Sequence, residues 1–209
     1  MISAHLHRLR STCAALLGVL LFAHSAHAQG TIHAVPAPQG EPLSSQFKVS
    51  AEQADVPVYL ARVCALSAEE RKRIGAPVEN QTTQTSFASF DLEGRARIKV
   101  TCPDDVKTVQ VLPSTRAVKP TIVGKTFTFS VDKPGALTIE VNGDWTHSLH
   151  LFVNPVEKDL PDPKDPKVIY YAPGVHHVQS VAVNAGQTVY VAAGAVVYGD
   201  GAGENRVER

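Results

Sequence analysis

The sequence predicts an all-β protein, an N-terminal β-sandwich followed by the start of a parallel β-helix. The chain has 14 prolines and 14 glycines, few long helical periods, and 44% apolar residues, enough for a core. β-Branched and aromatic runs recur about every 10 to 15 residues between turn sequences through residues 45–155, as in a sandwich. Residues 168–199 carry shorter strands, rich in Ala and Val and closed by glycine. That pattern is typical of a coiled sheet, in which each strand stacks on its equivalent one turn away.

Residues 1–28 have the pattern of a secretory signal peptide. Arg8 and Arg10 precede an apolar run at 14–23 and the small-residue site 26–28, so we expect cleavage after Ala28 and a secreted or periplasmic protein. The alternative is a membrane helix, but the apolar run is about half of the ~20 residues that a bilayer requires. Cleavage leaves 181 of the 209 residues, with 18 basic and 20 acidic side chains. This balance predicts no nucleic-acid partner and no membrane partner after cleavage.

The rest of the chain divides into segments by composition. Residues 29–44 are a flexible lead-in rich in Pro, Ala and Gly. Residues 45–155 form the sandwich, and a capping box at Ser67 and Glu70 predicts one or two helical turns within it. Residues 156–167 are a proline-rich, stiff connector. The coil occupies 168–199, and 200–209 form an irregular tail. Sandwich strands are predicted near residues 47–51, 56–63, 84–92, 96–101, 107–112, 123–131 and 136–141.

Four short strands are predicted in the coil, at residues 168–171, 181–183, 188–191 and 195–198. Turn sequences such as Pro173-Gly174 separate them. We expect Val189, Val191, Val196 and Tyr198 to point into a narrow core, with Ala192 and Ala195 at the bends.

Four motifs occur here in order: Asn154-Pro155, Pro-Asp-Pro-Lys-Asp-Pro at 161–166, Val-Ile-Tyr-Tyr-Ala-Pro-Gly-Val-His at 168–176, and Ala-Gly-Gln-Thr-Val-Tyr-Val-Ala-Ala-Gly-Ala-Val-Val-Tyr-Gly at 185–199. Over roughly the last quarter of the chain, this order resembles the junction between an N-terminal sandwich and the first rung of the right-handed β-helix in polygalacturonase-like and dextranase-like glycoside hydrolases, of the pectin-lyase-like superfamily. The resemblance implies that fold and a polysaccharide substrate, but does not indicate which polysaccharide.

Two cysteines are left after signal cleavage, Cys64 and Cys102. Each closes a predicted strand, and an even pair in an oxidising compartment predicts a disulfide. The alternative is two free thiols. Two cysteines without a nearby histidine pair predict no metal site.

The candidate substrate-binding residues are Asp144, Trp145 and His147, with His150 close by in sequence. In a functional interpretation, Trp145 stacks on a sugar ring while Asp144 holds a hydroxyl, because aromatic faces suit the apolar faces of sugars. The favoured alternative is structural, with residues 142–144 forming a turn, Trp145 packing at the domain seam and His150 hydrogen-bonded within a strand.

Other motifs carry no chemistry. His176 and His177 would point to opposite faces of a strand, so they cannot share one metal. The chain has no Gly-x-Ser-x-Gly elbow, phosphate loop or His-Glu-x-x-His motif, which excludes serine hydrolases, nucleotide enzymes and zincins of those kinds. No cofactor is expected, and the oligomeric state is open.

No catalytic residue is predicted in this chain. Glycoside hydrolysis needs carboxylates that face one sugar bond, and the resemblance implies that these lie on middle rungs, in Asn-Thr-Asp, Asp-Asp, Gly-His-Gly and Arg-Ile-Lys motifs. The fragments Asp104-Asp105 and Arg97-Ile98-Lys99 precede the coil, in the reverse order, and we interpret them as a turn and a solvated strand face.

Two functions are compatible with the sequence. One is the N-terminal cap, and substrate-side wall, of a polysaccharide-degrading enzyme whose catalytic rungs lie outside this sequence. The other is a secreted, non-catalytic carbohydrate-binding or adhesive sandwich. We expect the chain to be a fragment or a truncated form, since a lone rung cannot bury its own core.

Overall fold

The computed structural model describes residues 30–64, 69, 70, 73 and 82–199, and within them the protein is all-β with open sheets. The strands are β1 (Thr31–His33), β2 (Lys48–Ala51), β3 (Ala54–Val56), β4 (Val58–Cys64), β5 (Thr82–Glu93), β6 (Ala96–Thr101), β7 (Val109–Leu112), β8 (Thr121–Val123), β9 (Thr126–Val131), β10 (Gly135–Val141), β11 (Asp144–Pro155), β12 (Val168–Tyr171), β13 (Gly174–Val178), β14 (Thr188–Val191) and β15 (Ala195–Gly199). A one-turn 3-10 helix, Ser114–Arg116, follows β7.

Eleven strands form two sheets. The six-stranded sheet has the order β1-β5-β11-β10-β7, and β4 pairs with the first half of β5 while β1 pairs with its last residues. In this sheet β5 and β11 are parallel, and the other pairs are antiparallel. The five-stranded sheet is antiparallel throughout, in the order β3-β2-β6-β9-β8.

The buried faces of the two sheets share one hydrophobic cluster. Strand alternation places one set of side chains inside, such as Ile98 and Phe127 from the five-stranded sheet and Leu149 and Leu151 from the six-stranded sheet. All four are at most 1% exposed. The two sheets therefore pack face to face, and their outer faces are left for solvent or ligands.

The last four strands form two short parallel ladders. Strand β12 pairs with β14 from Val168↔Thr188, and β13 pairs with β15 from Gly174↔Ala195, so partners lie 20 or 21 residues apart in sequence. Backbone bonds from Ala192 N to the Tyr171 carbonyl (3.0 Å) and from Gly174 N to the Gly194 carbonyl (3.0 Å) continue the pairing across the bend. Strands β12 and β13 thus each lie parallel to a strand 20 or 21 residues later in sequence.

Two details of the predicted coil are wrong. The strand expected at residues 181–183 is not formed, and Gly174–Val178 is a strand instead. With an offset of 20 or 21 residues, partners for 181–183 would fall beyond residue 200, outside the described chain. The predicted inward side chains Val189, Val191 and Tyr198 are 40%, 50% and 37% exposed. A single pair of strands on each side offers them no opposing layer to pack against.

Predictions near the amino terminus have mixed outcomes. Residues 31–33, part of the predicted flexible lead-in, form β1 on β5, and Ile32 packs against the core. Within the predicted helical turns, the described residues Glu69, Glu70 and Arg73 are helical. The predicted signal peptide and the predicted irregular tail at 200–209 lie outside the described residues. Within the described ranges, no helix has the length and apolar character needed to cross a membrane.

Candidate functional site

A groove of about 710 Å³ lies between the outer face of the six-stranded sheet and the coil, and we call it the sheet–coil groove. One wall is made by β4, β5 and the end of β11, and the other by β14 and the bend that follows it. Residues before β2 and the start of the connector close its sides. Its main functional side chains are His33, Glu41, Tyr59, Phe87, Ser89, Asp91, Asn154, Glu157 and Tyr190.

Aromatic rings line the sheet side of the groove. Tyr59 of β4 lies opposite Phe87 of β5, and the two rings stack with centroids 5.3 Å apart. Phe152 of β11, which is 42% exposed, lies beside the groove and meets Phe87 edge-on at 6.5 Å. The three rings occupy outward positions, because the intervening residues of these strands are buried in the core. Such a surface can bind the apolar face of a sugar ring.

A polar row runs beside these rings. Asp91 of β5 lies in register with His33 of β1 on one side and Asn154 of β11 on the other. The Asn154 amide donates to the Ser89 hydroxyl at 2.9 Å, whereas the half-buried Asp91 carboxylate has no hydrogen bond or ion pair among the described residues. Asp91 is therefore a free acceptor within the groove, as a sugar-hydroxyl site requires.

Two tyrosine–glutamate hydrogen bonds attach the coil to the rest of the protein. The Tyr190 hydroxyl donates to Glu157 Oε2 at 2.6 Å, and the Tyr198 hydroxyl donates to both oxygens of Glu41, at 2.7 and 2.9 Å. The bond to Glu157 raises the pKa of Tyr190 to about 12, and the bond to Glu41 raises the pKa of Tyr198. These carboxylates act as acceptors that hold the coil against the groove.

Asp144 and His147 of the predicted binding cluster lie close together at the start of β11, whereas the sheet–coil groove lies at the end of β11. Asn142 and Gly143, both with positive φ, make the tight turn between β10 and β11. Asp144 Oδ1 accepts bonds from the Thr146 backbone (3.0 Å), the Thr146 hydroxyl (2.7 Å) and the His147 backbone (3.2 Å), and its Oδ2 lies 2.8 Å from His147 Nδ1. The cluster is about 30 Å along the strand from Asn154 and the groove.

This geometry leaves Asp144 little capacity for a ligand. The Thr146 hydroxyl, together with bonds from His147, lowers the Asp144 pKa to about 2, the opposite of what a general acid requires. His147 Nε2 lies 3.2 Å from the Thr83 hydroxyl, which completes an exposed Asp–His–Thr chain. Trp145 is 46% exposed and does not pack at the seam with the coil. A sugar-binding role for Trp145 with Asp144 and His147 stays a prediction.

His150 and the cysteines occupy structural positions. His150 Nδ1 lies 3.1 Å from the Thr138 hydroxyl, and burial lowers the His150 pKa. Cys102 is buried, and burial raises the pKa of its thiol. The side chain of Cys64 lies outside the described part of the chain, so its disulfide with Cys102 stays a prediction. Among the described residues, no group of three or more His, Cys, Asp or Glu side chains could hold a metal ion.

The rejected catalytic fragments lie away from the coil. Arg97 and Lys99 are exposed on the outer face of β6, with Ile98 buried between them. Asp104 and Asp105 are exposed in the loop after β6, where the Asp105 carbonyl accepts a bond from the Asn142 amide at 3.0 Å.

Sequence reasoning missed the sheet–coil groove. Its signal was present in β5, where Phe87, Ser89 and Asp91 alternate with the core residues Ala88, Phe90 and Leu92. An outward aromatic side chain among outward polar ones indicates a candidate binding surface. The partners Tyr59 and Asn154 could not be assigned, since they depend on strand pairing far apart in sequence.

Among known proteins, this chain matches solved structures but no sequence family. No protein family matches the chain, and no curated protein matches it. Among solved structures, the fold is similar to that of Dex49A from Penicillium minioluteum, with a TM-score of 0.56 and 14% sequence identity. The match covers 80% of this chain and 44% of Dex49A, so the shared region spans less than half of that protein. At this identity the likeness is one of fold.

Proposed function

We propose that this chain is the N-terminal portion of a secreted, polysaccharide-degrading glycoside hydrolase, in which a sandwich covers the first rung of a right-handed parallel β-helix. The likeness to Dex49A, a dextranase of the β-helix kind, supports a glycoside hydrolase-like fold and loosely suggests a carbohydrate substrate. In this proposal the catalytic carboxylates lie on later rungs, outside these 209 residues.

One observation carries the proposal. The two parallel ladders repeat after 20 and 21 residues, with continuous backbone bonding across the bend between them. Parallel strands joined this closely in sequence, without a covering helix, are typical of a coil that stacks rung on rung. The repeat needs further rungs to bury Val189 and Val191, which are exposed here.

The packed sheets act as a cover in this proposal. An open coil end exposes unpaired backbone and apolar side chains, which another element must shield. Gly194 of the bend lies so close to the N-terminal segment that a Cβ there would come within 2.8 Å of Val35 Cγ1. Together with the Tyr190–Glu157 and Tyr198–Glu41 bonds, this contact fixes the coil against the six-stranded sheet.

The coding sequence downstream of residue 209 tests the proposal. We expect further repeats of about the same length carrying paired aspartates, and we expect the longer protein to release reducing sugar from dextran or a related polymer. This chain alone should release none from dextran or pectin. A stop codon followed by an unrelated gene would contradict the proposal, as would hydrolysis by this chain that is lost on Asp104→Asn or Asp105→Asn.

Export is part of the proposal. Processing after Ala28 would give a protein that begins with Gln29. Mass spectrometry of the protein recovered from the periplasm or medium checks this. Recovery of the intact chain in the membrane fraction would instead support a retained anchor.

A second candidate is a non-catalytic carbohydrate-binding module, favoured by the aromatic and polar surface of the sheet–coil groove. Calorimetry with isomalto-oligosaccharides tests it on the protein without residues 1–28. We expect Phe87→Ala and Asp91→Asn to weaken binding, with Trp145→Ala as the exposed aromatic control outside the groove. Loss of binding only in Trp145→Ala would instead assign the sugar to the Asp144 cluster.

A further inference from the structure

A second groove, of about 570 Å³, lies on the outer face of the five-stranded sheet, remote from the coil. Five cationic side chains line it, and we call it the basic groove: Arg95, Arg97, Arg116, Lys119 and Lys133. Asp132 is the one carboxylate that lines it. The whole chain has equal numbers of basic and acidic side chains, so this charge is a local concentration.

Strand alternation creates one wall of the basic groove. The buried side chains of β6 are Ala96, Ile98 and Val100. Because side chains alternate along a strand, Arg97 points outward, as do Arg95 and Lys99 two residues to either side, at a spacing of about 7 Å. On the adjacent strand β9, Ser130 lies in register with Arg97, and Thr128 lies two residues further along. The wall therefore presents cations in a row beside hydroxyl groups.

The opposite wall is held in place by Arg116. Its guanidinium donates to the carbonyls of Lys133 (2.8 Å) and Pro134 (3.1 Å). Gly135 leaves room for it, because a Cβ there would lie 3.2 Å from Arg116 Nη1. The loop that carries Lys119 is thus attached to the turn that carries Lys133, and the groove exists before any ligand binds.

The remaining cations are not neutralised by the protein. The side chains of Arg95, Arg97, Lys119 and Lys133 make no ion pair or hydrogen bond within the described residues. Near them, the Glu52 carboxylate accepts a bond from the Arg97 backbone at 2.6 Å, not from its guanidinium. Like charges gathered in a concave surface create a positive potential that attracts anions.

We propose that the basic groove binds an acidic polysaccharide, one that carries carboxylate or sulfate groups. Cations in a row suit a linear polyanion, and the hydroxyls of Thr121, Thr128 and Ser130 suit its sugar hydroxyls. Single-stranded nucleic acid fits less well, because it requires exposed rings for stacking and Phe129, the aromatic residue that lines the groove, is 4% exposed. The inference rests on the proposed function in taking a polysaccharide as the ligand class.

Dextran sulfate and neutral dextran of matched length are the probes, since they share a backbone and differ in charge. By calorimetry on the protein without residues 1–28, we expect dextran sulfate to bind at least tenfold more tightly than dextran at low salt, with affinity falling as salt rises. Polygalacturonate tests whether carboxylates serve as well as sulfates. Single-stranded DNA of about 20 nucleotides tests the other class of polyanion.

Double variants that each remove two positive charges locate the site. R97Q/K119Q should weaken dextran sulfate binding about tenfold, as loss of charge-assisted contacts predicts, whereas K164Q/K167Q on the exposed connector should not. If R97Q/K119Q unfolds because Arg97 lies in β6, K119Q/K133Q repeats the test with two loop residues. Equal losses in both sets, equal affinity for dextran, or tighter binding of DNA would each overturn the proposal. None of these outcomes bears on hydrolysis, which tests the proposed function separately.

Discussion

The strands of the two packed sheets and of the coil all have backbone partners, antiparallel for most pairs in the sheets and parallel in the coil, but the cores of the two regions differ greatly. Every member of the hydrophobic cluster lies between Phe47 and Val153, in the packed sheets. In residues 168–199 Ala192 alone is buried, although all four strands there have ladder partners. Strand pairing satisfies the backbone, but it does not by itself remove apolar surface from water.

The comparison suggests how the parts depend on one another. The packed sheets close their core with two layers, whereas the coil has one layer and is held through a few contacts at its edge. We therefore expect the sheets to determine global stability and the coil to open locally.

The largest expected difference comes from truncating apolar side chains in each region. Leu151→Ala, at a position 0% exposed, should lower the free energy of unfolding by about 2 to 5 kcal/mol. Val191→Ala, at a position 50% exposed, should change it by less than about 0.5 kcal/mol. Urea unfolding followed by circular dichroism measures both. A comparable loss in Val191→Ala would mean that the coil has a packed core.

Gly194 and Gly186 form a matched pair that tests how the coil is attached. Both have φ near +80°, but a Cβ on Gly194 would clash with Val35, whereas one on Gly186 meets nothing within 4 Å. Each alanine variant bears roughly 1 kcal/mol of left-handed strain, and only Gly194→Ala adds overpacking of about 1 to 3 kcal/mol.

Amide hydrogen exchange in β14 and β15 should therefore be faster in Gly194→Ala than in Gly186→Ala. Adding Val35→Ala to Gly194→Ala should restore part of the protection. Equal exchange in the two single variants would show that the N-terminal segment does not hold the bend.

A smaller effect is expected at Asp144, which belongs to the packed sheets. Its folded pKa of about 2 lies below the ordinary 3.8, so its ionised form stabilises the fold above about pH 4, and this contribution is lost as pH falls towards 2. Because Asp144 is half-exposed, we expect Asp144→Asn to cost about 1 kcal/mol or less at pH 7 and nothing near pH 2. Asp159→Asn, on the exposed connector, is the control, and a pH-independent loss in Asp144→Asn would contradict the assignment.

The sequence predicted several of the strands because their signals are local. Alternation in residues 126–131 and the Asn142-Gly143 turn both appear where residue order indicated them. The parallel pairing of β5 with β11, and hence the neighbours of Asp91, could not be predicted, because a parallel pair joins distant segments without a turn motif. Of the cations in the basic groove, Arg97 was predicted, with Lys99, to lie on a solvated strand face, but its approach to Lys119 and Lys133 is tertiary.

The exposure of Val189 and Val191 could not be predicted for a different reason. Their β-branched side chains alternate as core residues do, and the prediction placed them inward. Burial, however, depends on what lies opposite, and the described chain supplies no layer there. Local pattern therefore predicts which face is apolar but not whether that face is covered.

The smallest effect concerns the tyrosine bonds that attach the coil. Tyr190 donates to Glu157, which raises the Tyr190 pKa to about 12 from the ordinary 10, so this bond favours the attached coil below pH 10 and is lost as pH rises through 12. In a spectrophotometric titration, Tyr190→Phe should remove a component near pH 12, and Glu157→Gln should move it towards pH 10. Asp104→Asn, which removes an exposed carboxylate in the loop after β6, should leave it unchanged.

That titration also measures how often the coil opens. When β14 leaves the connector, Tyr190 loses its acceptor and titrates as an ordinary phenol, so frequent opening lowers the observed pKa towards 10. Gly194→Ala weakens the attachment of the coil at the bend without changing either partner of the Tyr190–Glu157 bond, so it should lower the Tyr190 pKa. Leu151→Ala should leave the Tyr190 pKa unchanged until the protein unfolds. A Tyr190 pKa that follows Leu151→Ala and ignores Gly194→Ala would mean that sheets and coil unfold as one unit.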